Sequence, residues 1–197
     1  MKRIFILIAL LTLFMITGLY GQEKKKHYVG GHFSYGKANY SADRWDSSSN
    51  KEYTGKDYFT LAIDYAYRTS ENTEFCLGLS ATLMKMDFEN TVYWNSFSYT
   101  YDDSFGIFSI PVGMKYYVGK YFYGSAGLSF NYHPYMGYRW GLGGFVNIGA
   151  EYTFKSGLSL SVAPQVQGNI LSLGSSPASF EEKLTQIGFN AGIGYRF

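Results

Sequence analysis

The feature that most constrains this chain is an alternation of apolar with small or polar residues at every second position, which recurs from about residue 28 to the end. Such a period is typical of β-strands with two different faces. Eight segments show it, at about 28–38, 57–68, 74–86, 105–118, 121–132, 142–154, 158–170 and 185–197. No apolar stretch among them is long enough for a helical membrane span. The pattern therefore predicts an all-β chain.

The connections between these segments alternate in length. Those after the second, fourth and sixth segments are short, namely TSENT, GK and KSG, whereas the other four are long and polar or aromatic. In an antiparallel order all short turns then lie at one end and all long loops at the other, as in membrane β-barrels. We therefore predict an eight-stranded antiparallel up-and-down transmembrane β-barrel, in which the last segment pairs with the first near Tyr28.

The two registers of the segments differ in chemistry. One register is apolar, as in Phe59, Leu61 and Ile63, and we expect it to carry no charge across all eight segments. Because Lys or Arg at the lipid midplane costs about 2 to 4 kcal/mol, such a face suits lipid. A soluble ligand-binding barrel would place its apolar face inward instead. The loop asymmetry, the charged opposite register and the terminal Phe197 favour the membrane barrel.

Six charged residues occupy the predicted inward register towards the short-turn end, three of each sign: Asp64, Arg68, Glu74, Lys115, Glu151 and Arg196. An eight-stranded barrel is just wide enough for side chains to fill its interior, and charges in such an interior must pair. We interpret the group as a paired plug that closes the lumen. A selectivity constriction in a narrow pore is the alternative interpretation.

Two prolines, Pro111 and Pro164, fall inside predicted strands of a barrel that has no free edge. Since proline cannot donate to a strand ladder, we expect a bulge or a locally broken pair at each.

The N-terminal residues have the order of a secretory signal peptide: Lys2 and Arg3 precede an uncharged apolar run that ends near Thr17. Cleavage after Gly21 would divide the chain into a signal peptide, 1–21, and a barrel domain, 22–197; a retained N-terminal anchor is the alternative. Removing the two signal residues from the 17 basic ones leaves 15, against 15 acidic residues. A neutral chain has no electrostatic footprint for nucleic acid. With Cys76 as its one cysteine, the chain forms no internal disulfide.

The segment SIPVGMKYYVGKYFYGSAGLSFNY, residues 109–132, resembles the central hairpin of small bacterial outer-membrane β-barrel proteins, the OmpA-, OmpX- and OmpW-like eight-stranded barrels. There an Ile-Pro pair opens a strand that ends in a basic, tyrosine-rich turn, and the next strand reads Ala-Gly-Leu, as residues 126–128 do here. The C-terminus resembles their assembly signal, with a terminal Phe197 and with Tyr195 and Ile193 on the same face. The resemblance implies a Gram-negative outer-membrane location, contact with outer-membrane lipid, and recognition by the barrel-assembly machinery.

Candidate catalytic residues are sparse. His133 lies in the predicted loop NYHPYMGYRW, but the lipid A deacylase pattern needs a Ser where Tyr135 stands. Asp103 and Ser104 form the pair that a palmitoyl-transferase-like barrel would need, without a His clearly placed beside them. There is no P-loop, dinucleotide fingerprint or metal-ligand spacing. We predict no catalytic residue, no cofactor and no metal site, with an outer-membrane lipid hydrolase or acyltransferase as the third-ranked alternative.

The predicted outer loops are the most distinctive stretches. YSADRWDSSSNKEYTGKD and ENTVYWNSFSYTYDDS mix Tyr and Trp with Ser, Asn and Asp, a mixture that binding surfaces favour. The same aromatics would also suit anchoring near lipid headgroups or an extension of the strands beyond the membrane. We predict a monomer with a structural or interaction role through its loops, or as an accessory of an envelope complex. A narrow porin-like channel for small solutes is the alternative.

Overall fold

The computed structural model describes residues 25–42, 49–92, 97–134, 139–170 and 182–197. These residues form eight strands, and the predicted signal peptide lies outside them. The strands are β1 (His27–Ala42), β2 (Ser49–Arg68), β3 (Thr73–Val92), β4 (Phe97–Val118), β5 (Phe122–His133), β6 (Arg139–Thr153), β7 (Leu158–Ile170) and β8 (Glu182–Arg196). No helix in the described ranges is long and apolar enough to cross a membrane.

The strands form a closed antiparallel barrel in which each pairs with its neighbours in the chain and β8 pairs with β1. The closing pair begins at Tyr28, which lies opposite Arg196. Beyond it, the backbone N–H groups of His27 and Phe197 donate to each other's carbonyl oxygens at 3.0 and 2.9 Å. The predicted fold class and the position of the closing pair are confirmed, and the terminal Phe197 is held in the barrel wall.

Two of the three short turns depend on glycine. Gly119 and Gly157 have φ angles of 71° and 102°, in the region that side chains with a Cβ rarely adopt. Gly119 begins the β4–β5 connection and Gly157 ends the β6–β7 connection, both among the short ones expected from sequence. We call the end of the barrel with these turns the inner end.

Alternate side chains along each strand face the lumen and the outside. Exposure alternates along β7 from Leu158 to Ile170, and outward side chains elsewhere stay open, with Ile148 at 70 % and Phe189 at 67 % exposure. A belt of this kind is stable in lipid and unstable in water. The expected outward face is therefore confirmed over most of its height.

The expectation of an uncharged outward face was wrong at its outer edge. Lys37, Asp57 and Lys85 share the register of the apolar residues, at the outer ends of the predicted segments. Lys37 pairs with Asp57 at 2.6 Å, with the lysine side chain 77 % exposed. Charges are tolerated there because their cost falls to about 0 to 1 kcal/mol near the membrane interface. Between these residues and the inner end, the described outward positions are uncharged.

Aromatic side chains gather at both ends of this belt. At the inner end Tyr121 stacks on Tyr152 at 5.8 Å between ring centroids, and Tyr152 meets Phe154 edge-on at 4.8 Å. At the outer end Tyr132 contacts Trp140 at 4.9 Å. Aromatic girdles at the two interfaces are a property of transmembrane barrels.

Each proline interrupts one neighbouring ladder without shifting it. The β3–β4 pairs stop at Leu77 and Val112 and resume, in the same register, at Ser80 and Ser109, so that Pro111 lies in the gap. The β6–β7 pairs skip Pro164 in the same way between residues 147 and 150 of β6. The outcome is the locally broken pair rather than the bulge, because proline lacks only the one N–H that the ladder needs.

Three strands extend at least six residues further towards the outer end of the barrel than the sequence pattern indicated. β2 begins at residue 49 instead of 57, β3 ends at 92 instead of 86, and β4 begins at 97 instead of 105. The register of β2 and β3 shifts between Gly55 and Tyr58, where the extension starts. We call this extension the outer sheet and define it as residues 49–56 of β2, 86–92 of β3 and 97–107 of β4. Much of the sequence interpreted as outer loop is therefore strand.

Candidate functional site

The interior of the barrel is the candidate site, and its inner end is filled by charged side chains. Arg196 lies at the centre, 4 % exposed. Its guanidinium donates to Glu74 Oε1 at 2.6 Å from Nη1 and to Glu151 Oε1 at 2.5 Å from Nη2. Both carboxylates are buried, with Glu74 at 0 %. A charged group in such an environment is stable only when it is paired and hydrogen-bonded.

Each carboxylate has a second cationic partner. Arg68 donates to Glu74 Oε1 from Nε at 3.0 Å and from Nη2 at 2.7 Å. Lys115 donates to Glu151 Oε2 at 2.9 Å. Three cations thus surround two carboxylates, so removal of either carboxylate would leave buried positive charge under-compensated.

Tyr117 connects the two halves of this arrangement. Its hydroxyl lies 3.1 Å from Glu74 Oε2 and 3.0 Å from Glu151 Oε2, and it accepts a hydrogen bond from Arg196 at 2.6 Å. We call the group the inner-end cluster and define it as Arg68, Glu74, Lys115, Tyr117, Glu151 and Arg196. Its members come from strands β2, β3, β4, β6 and β8, so that it spans the full width of the lumen.

Aromatic rings cover the cations of this cluster. Lys115 lies 4.4 Å from the ring centroid of Tyr123, and Arg196 lies 5.2 Å from that of Tyr28. Arg68 is 5.3 Å from the Tyr117 ring. Cation–π contacts of this kind strengthen where water is excluded. The rings also fill the space that the charged groups leave, which makes the inner end a packed layer.

Asp64 is inward but lies apart from the other five predicted charges. It pairs with Nδ1 of His32, one strand away on β1. In β2 it precedes Arg68 by four residues, which is about 13 Å along a strand. The structure therefore brings together five of the six predicted charges and gives Asp64 a different partner. Sequence alternation identified the correct face but not this partner.

Side-chain amides line the lumen further out. Gln165, Gln167 and Asn169 follow one another on the inward face of β7, with hydrogen bonds of 3.2 Å from each amide to the next. Asn131 of β5 donates to Asn169 at 2.9 Å, and Ser34 of β1 donates to Gln165 at 3.1 Å. This ladder ties β7 to strands on either side of the lumen.

A cavity of about 110 Å³ lies between the inner-end cluster and this amide ladder. Lys115 and Tyr28 line its inner side, and His32 and Asp64 line its wall together with several Ser and Thr hydroxyls. One acceptor on its surface, Oδ1 of Asn147, is buried without a protein partner. Its lining combines polar groups with apolar ones, and its volume is large enough for several water molecules.

Apolar side chains fill the lumen near the start of the outer sheet. They are Ala38, Tyr58, Met84, Ile107 and Leu184, each between 1 and 3 % exposed. The sequence analysis missed them because it treated the inward register as polar throughout. Their positions continue the inward parity of β1, β2, β3, β4 and β8, and that parity was the signal that could have found them. The polar cavity thus has packed side chains on both sides.

The described candidate catalytic residues lie towards the outer end of the barrel. Phe108 is the last residue of β4 that pairs with β5. Asp103 and Ser104 lie further along β4, where the strand pairs with β3. His133 ends β5 and is only 4 % exposed. Tyr135 lies outside the described residues.

The comparisons with known proteins identify the fold. OprG of Pseudomonas aeruginosa, an outer membrane protein, is similar with a TM-score of 0.55 at 12 % identity, over 88 % of this chain and 97 % of that one. The chain has an outer-membrane β-barrel fold. Its apolar outward belt and this fold together place it in the outer membrane, as the sequence resemblance implied.

Two further solved structures are similar at lower scores. Neisserial surface protein A has a TM-score of 0.48 at 17 % identity, over 87 % of this chain and 97 % of that one. The outer membrane protease OmpT from Escherichia coli has a TM-score of 0.48 at 9 % identity, over 90 % and 100 %. No family model matches the chain, and no curated protein matches it.

Proposed function

We propose that this protein is a closed, non-enzymatic outer-membrane barrel that acts through its outer sheet, as a binding protein or as an accessory of an envelope complex. The observation that carries the proposal is the unequal height of the strands. β4 pairs with β5 only from Phe108 towards the inner end, and β2 pairs with β1 only from Asp57 towards the inner end. The outer sheet continues past both points with pairs only between its own three strands, as far as the described residues extend.

Among the described residues, this arrangement leaves one edge of β2 and one edge of β4 without a neighbouring strand. The β4 edge, residues 97–107, is about 36 Å long at 3.3 Å per residue. An unpaired edge offers a row of backbone N–H and C=O groups to which an extended segment of another protein adds as a further strand. A protein with an exposed strand or chain terminus is therefore the kind of partner that we propose.

A photo-crosslinking amino acid at position 99 or 101 of β4 tests this proposal in cells, with position 120 in an inner turn as the control. We expect one defined protein to be cross-linked from the edge positions and not from position 120. Because N–H groups in an antiparallel ladder alternate between the two edges, only one of the variants Thr100→Pro and Tyr101→Pro removes a free-edge donor. That variant should lose the cross-link and keep the heat-dependent gel migration of the folded barrel. No edge-specific product, or one that survives both prolines, refutes the proposal.

A narrow channel for small solutes is the second candidate, favoured by the polar cavity in the lumen. The inner-end cluster would then act as its constriction, with Lys115 on the cavity surface and Glu151 behind it. Vesicles that contain the protein distinguish the two functions by their swelling in small sugars and amino acids. Swelling no faster than that of protein-free vesicles supports the closed barrel, whereas swelling that depends on Lys115 supports the channel.

We also propose that Ile193, Tyr195 and Phe197 form the signal read by the barrel-assembly machinery. Ile193 and Tyr195 lie on the outward face, 57 and 47 % exposed, and Phe197 stacks on Tyr195 at 6.5 Å. Their position makes them accessible to a partner before lipid covers them. Deletion of Phe197 should lower the amount of inserted barrel, and normal insertion would refute this role.

A further inference from the structure

Between Gly188 and Gly194, the closing strand β8 has an inward face with few features that could fix its register. From Gly188 to Gly194, three of its four inward residues are glycine. Two of them lie opposite glycines of β1, in the pairs Gly36–Gly188 and Gly30–Gly194. Glycine-rich strands specify pairing weakly because they offer few side chains to distinguish one register from another.

The apolar outward face of β8 excludes only some of the wrong registers. A slip by one residue would turn Tyr195 and Phe197 into the lumen, and lipid would oppose it. A slip by two residues keeps every apolar side chain facing outward. Lipid does not oppose that error, so a feature inside the barrel must do so.

Arg196 is placed to oppose a two-residue slip. Its two carboxylate partners lie on β3 and β6, neither of which is a neighbour of β8. A slip by two residues moves a side chain by about 7 Å along the strand, which is more than twice the length of a hydrogen bond. Arg196 would then lose both carboxylates together.

The binding site for Arg196 is built by earlier parts of the chain. Glu74 is held by Arg68 within the β2–β3 hairpin. Glu151 is held by Lys115 between β4 and β6. These pairs do not involve β8, so positioning the two carboxylates does not require the last strand.

Tyr28 adds a steric feature at the same place. Its ring lies against Gly30 and Gly194, where an added Cβ would collide with it. Arg196 contacts the same ring, with its guanidinium carbon 5.2 Å from the ring centroid. A slip that brought Arg196 opposite Gly30 would put the arginine side chain into the space of the Tyr28 ring.

We propose that Arg196, through Glu74 and Glu151, sets the register in which β8 closes the barrel against β1. Outward alternation selects the correct face of β8, and the ion pairs select among the registers that share that face. This role is independent of the proposed function.

Disulfide cross-linking across the closing pair measures the register directly. In a Cys76→Ser background, Phe33→Cys is combined with a cysteine at one of three outward positions of β8. Ala191 is its partner in the native register, and Phe189 and Ile193 report slips by two residues. A disulfide needs Cα atoms within about 7 Å, so neighbours two residues away do not cross-link without slipping. The full chain is refolded into phospholipid vesicles, oxidised and analysed by mass spectrometry.

With Arg196 present, we expect the cross-link to form only with position 191. In Arg196→Met, cross-links to position 189 or 193 should rise at least tenfold. Arg68→Met is the matched control, because it removes a different cation from the same Glu74 but lies on β2. It should lower stability without any slipped cross-link, and Arg196→Lys should restore most of the native register.

The variant Arg196→Gln covers the case in which Arg196→Met does not fold. It leaves each carboxylate with a cation, Arg68 for Glu74 and Lys115 for Glu151, and it lacks the guanidinium that joins the two carboxylates, so it should fold and still show the slipped cross-links. Native cross-links alone in Arg196→Met, or in Arg196→Gln where Arg196→Met does not fold, would overturn the proposal. Slipped cross-links of equal amount in Arg68→Met would also overturn it, because they would show that any loss of stability loosens the closing strand.

Discussion

Replacing Glu74 by Gln tests how much the inner-end cluster contributes to stability. Glu74 is fully buried and accepts hydrogen bonds from Arg68 and Arg196, with Tyr117 3.1 Å away. The substitution keeps the size of the side chain and removes one of the two negative charges among three cations. Removing one partner of a buried ion pair lowers the free energy of unfolding by about 3 to 5 kcal/mol. We expect a loss in the upper part of this range, because two cations lose their shared partner.

The measurement is urea unfolding of the full chain in phospholipid vesicles, followed by tryptophan fluorescence. Glu71→Gln is the matched control, since Glu71 lies exposed in the turn before β3 and an exposed charge pair is worth about 0 to 1 kcal/mol. Because salt screens buried pairs weakly, the difference between the two variants should persist at high ionic strength. A Glu74→Gln loss no larger than that of Glu71→Gln would refute the reasoning.

Three further predictions concern other parts of the barrel. Gly194→Val should lower the free energy of unfolding by about 1 to 3 kcal/mol, because its side chain would collide with the Tyr28 ring. Gly168→Val is the control, because an added Cβ there meets no atom within 4 Å, and it should leave the free energy of unfolding unchanged. Equal losses for the two variants would contradict the packing of Gly194 against Tyr28. Ile148→Arg should lower the free energy of unfolding in vesicles by about 2 to 4 kcal/mol, because the side chain of residue 148 lies in the lipid belt. An unchanged free energy of unfolding would contradict the assigned outward face. His133→Ala should leave the acyl pattern of extracted outer-membrane lipids unchanged, as expected for a non-enzymatic barrel, and a changed pattern would support the lipid-modifying alternative.

The sequence predicted the barrel well because alternation and turn lengths are local properties. A period of two assigns each residue of β7 to a face without knowledge of its neighbours. Alternating short and long connections then fix the strand order. Even the broken pairs at Pro111 and Pro164 follow from a local property, the missing N–H of proline.

Height along the strands was harder to predict, because alternation says which face a residue occupies but not which residues across the lumen lie level with it. Asp64 and Arg68 share a face, yet only Arg68 reaches Glu74. Heights depend on the tilt and stagger of all eight strands together. The partner of Asp64 therefore became clear only from the three-dimensional arrangement.

The outer sheet was missed for a different reason. Its sequence is rich in Ser, Asn and Asp, which are typical of turns and loops. Outside the membrane a strand needs no apolar face towards lipid, so the pattern that identified the other strands is weak there. Pairing within the β2–β3–β4 hairpins stabilises the extension instead. The apolar lumen residues Tyr58 and Met84 lie where it begins.

Single-channel recording in planar bilayers tests the central claim, a closed lumen, most directly. The inner-end cluster spans the lumen, and apolar side chains such as Met84 and Leu184 fill it further out. We predict that the purified barrel inserts without stepwise currents, and that Lys115→Gln does not introduce them while the other cluster contacts remain. Steady wild-type currents that change on Lys115→Gln or Glu151→Gln would contradict the closed barrel and would identify the cluster as the constriction of a channel.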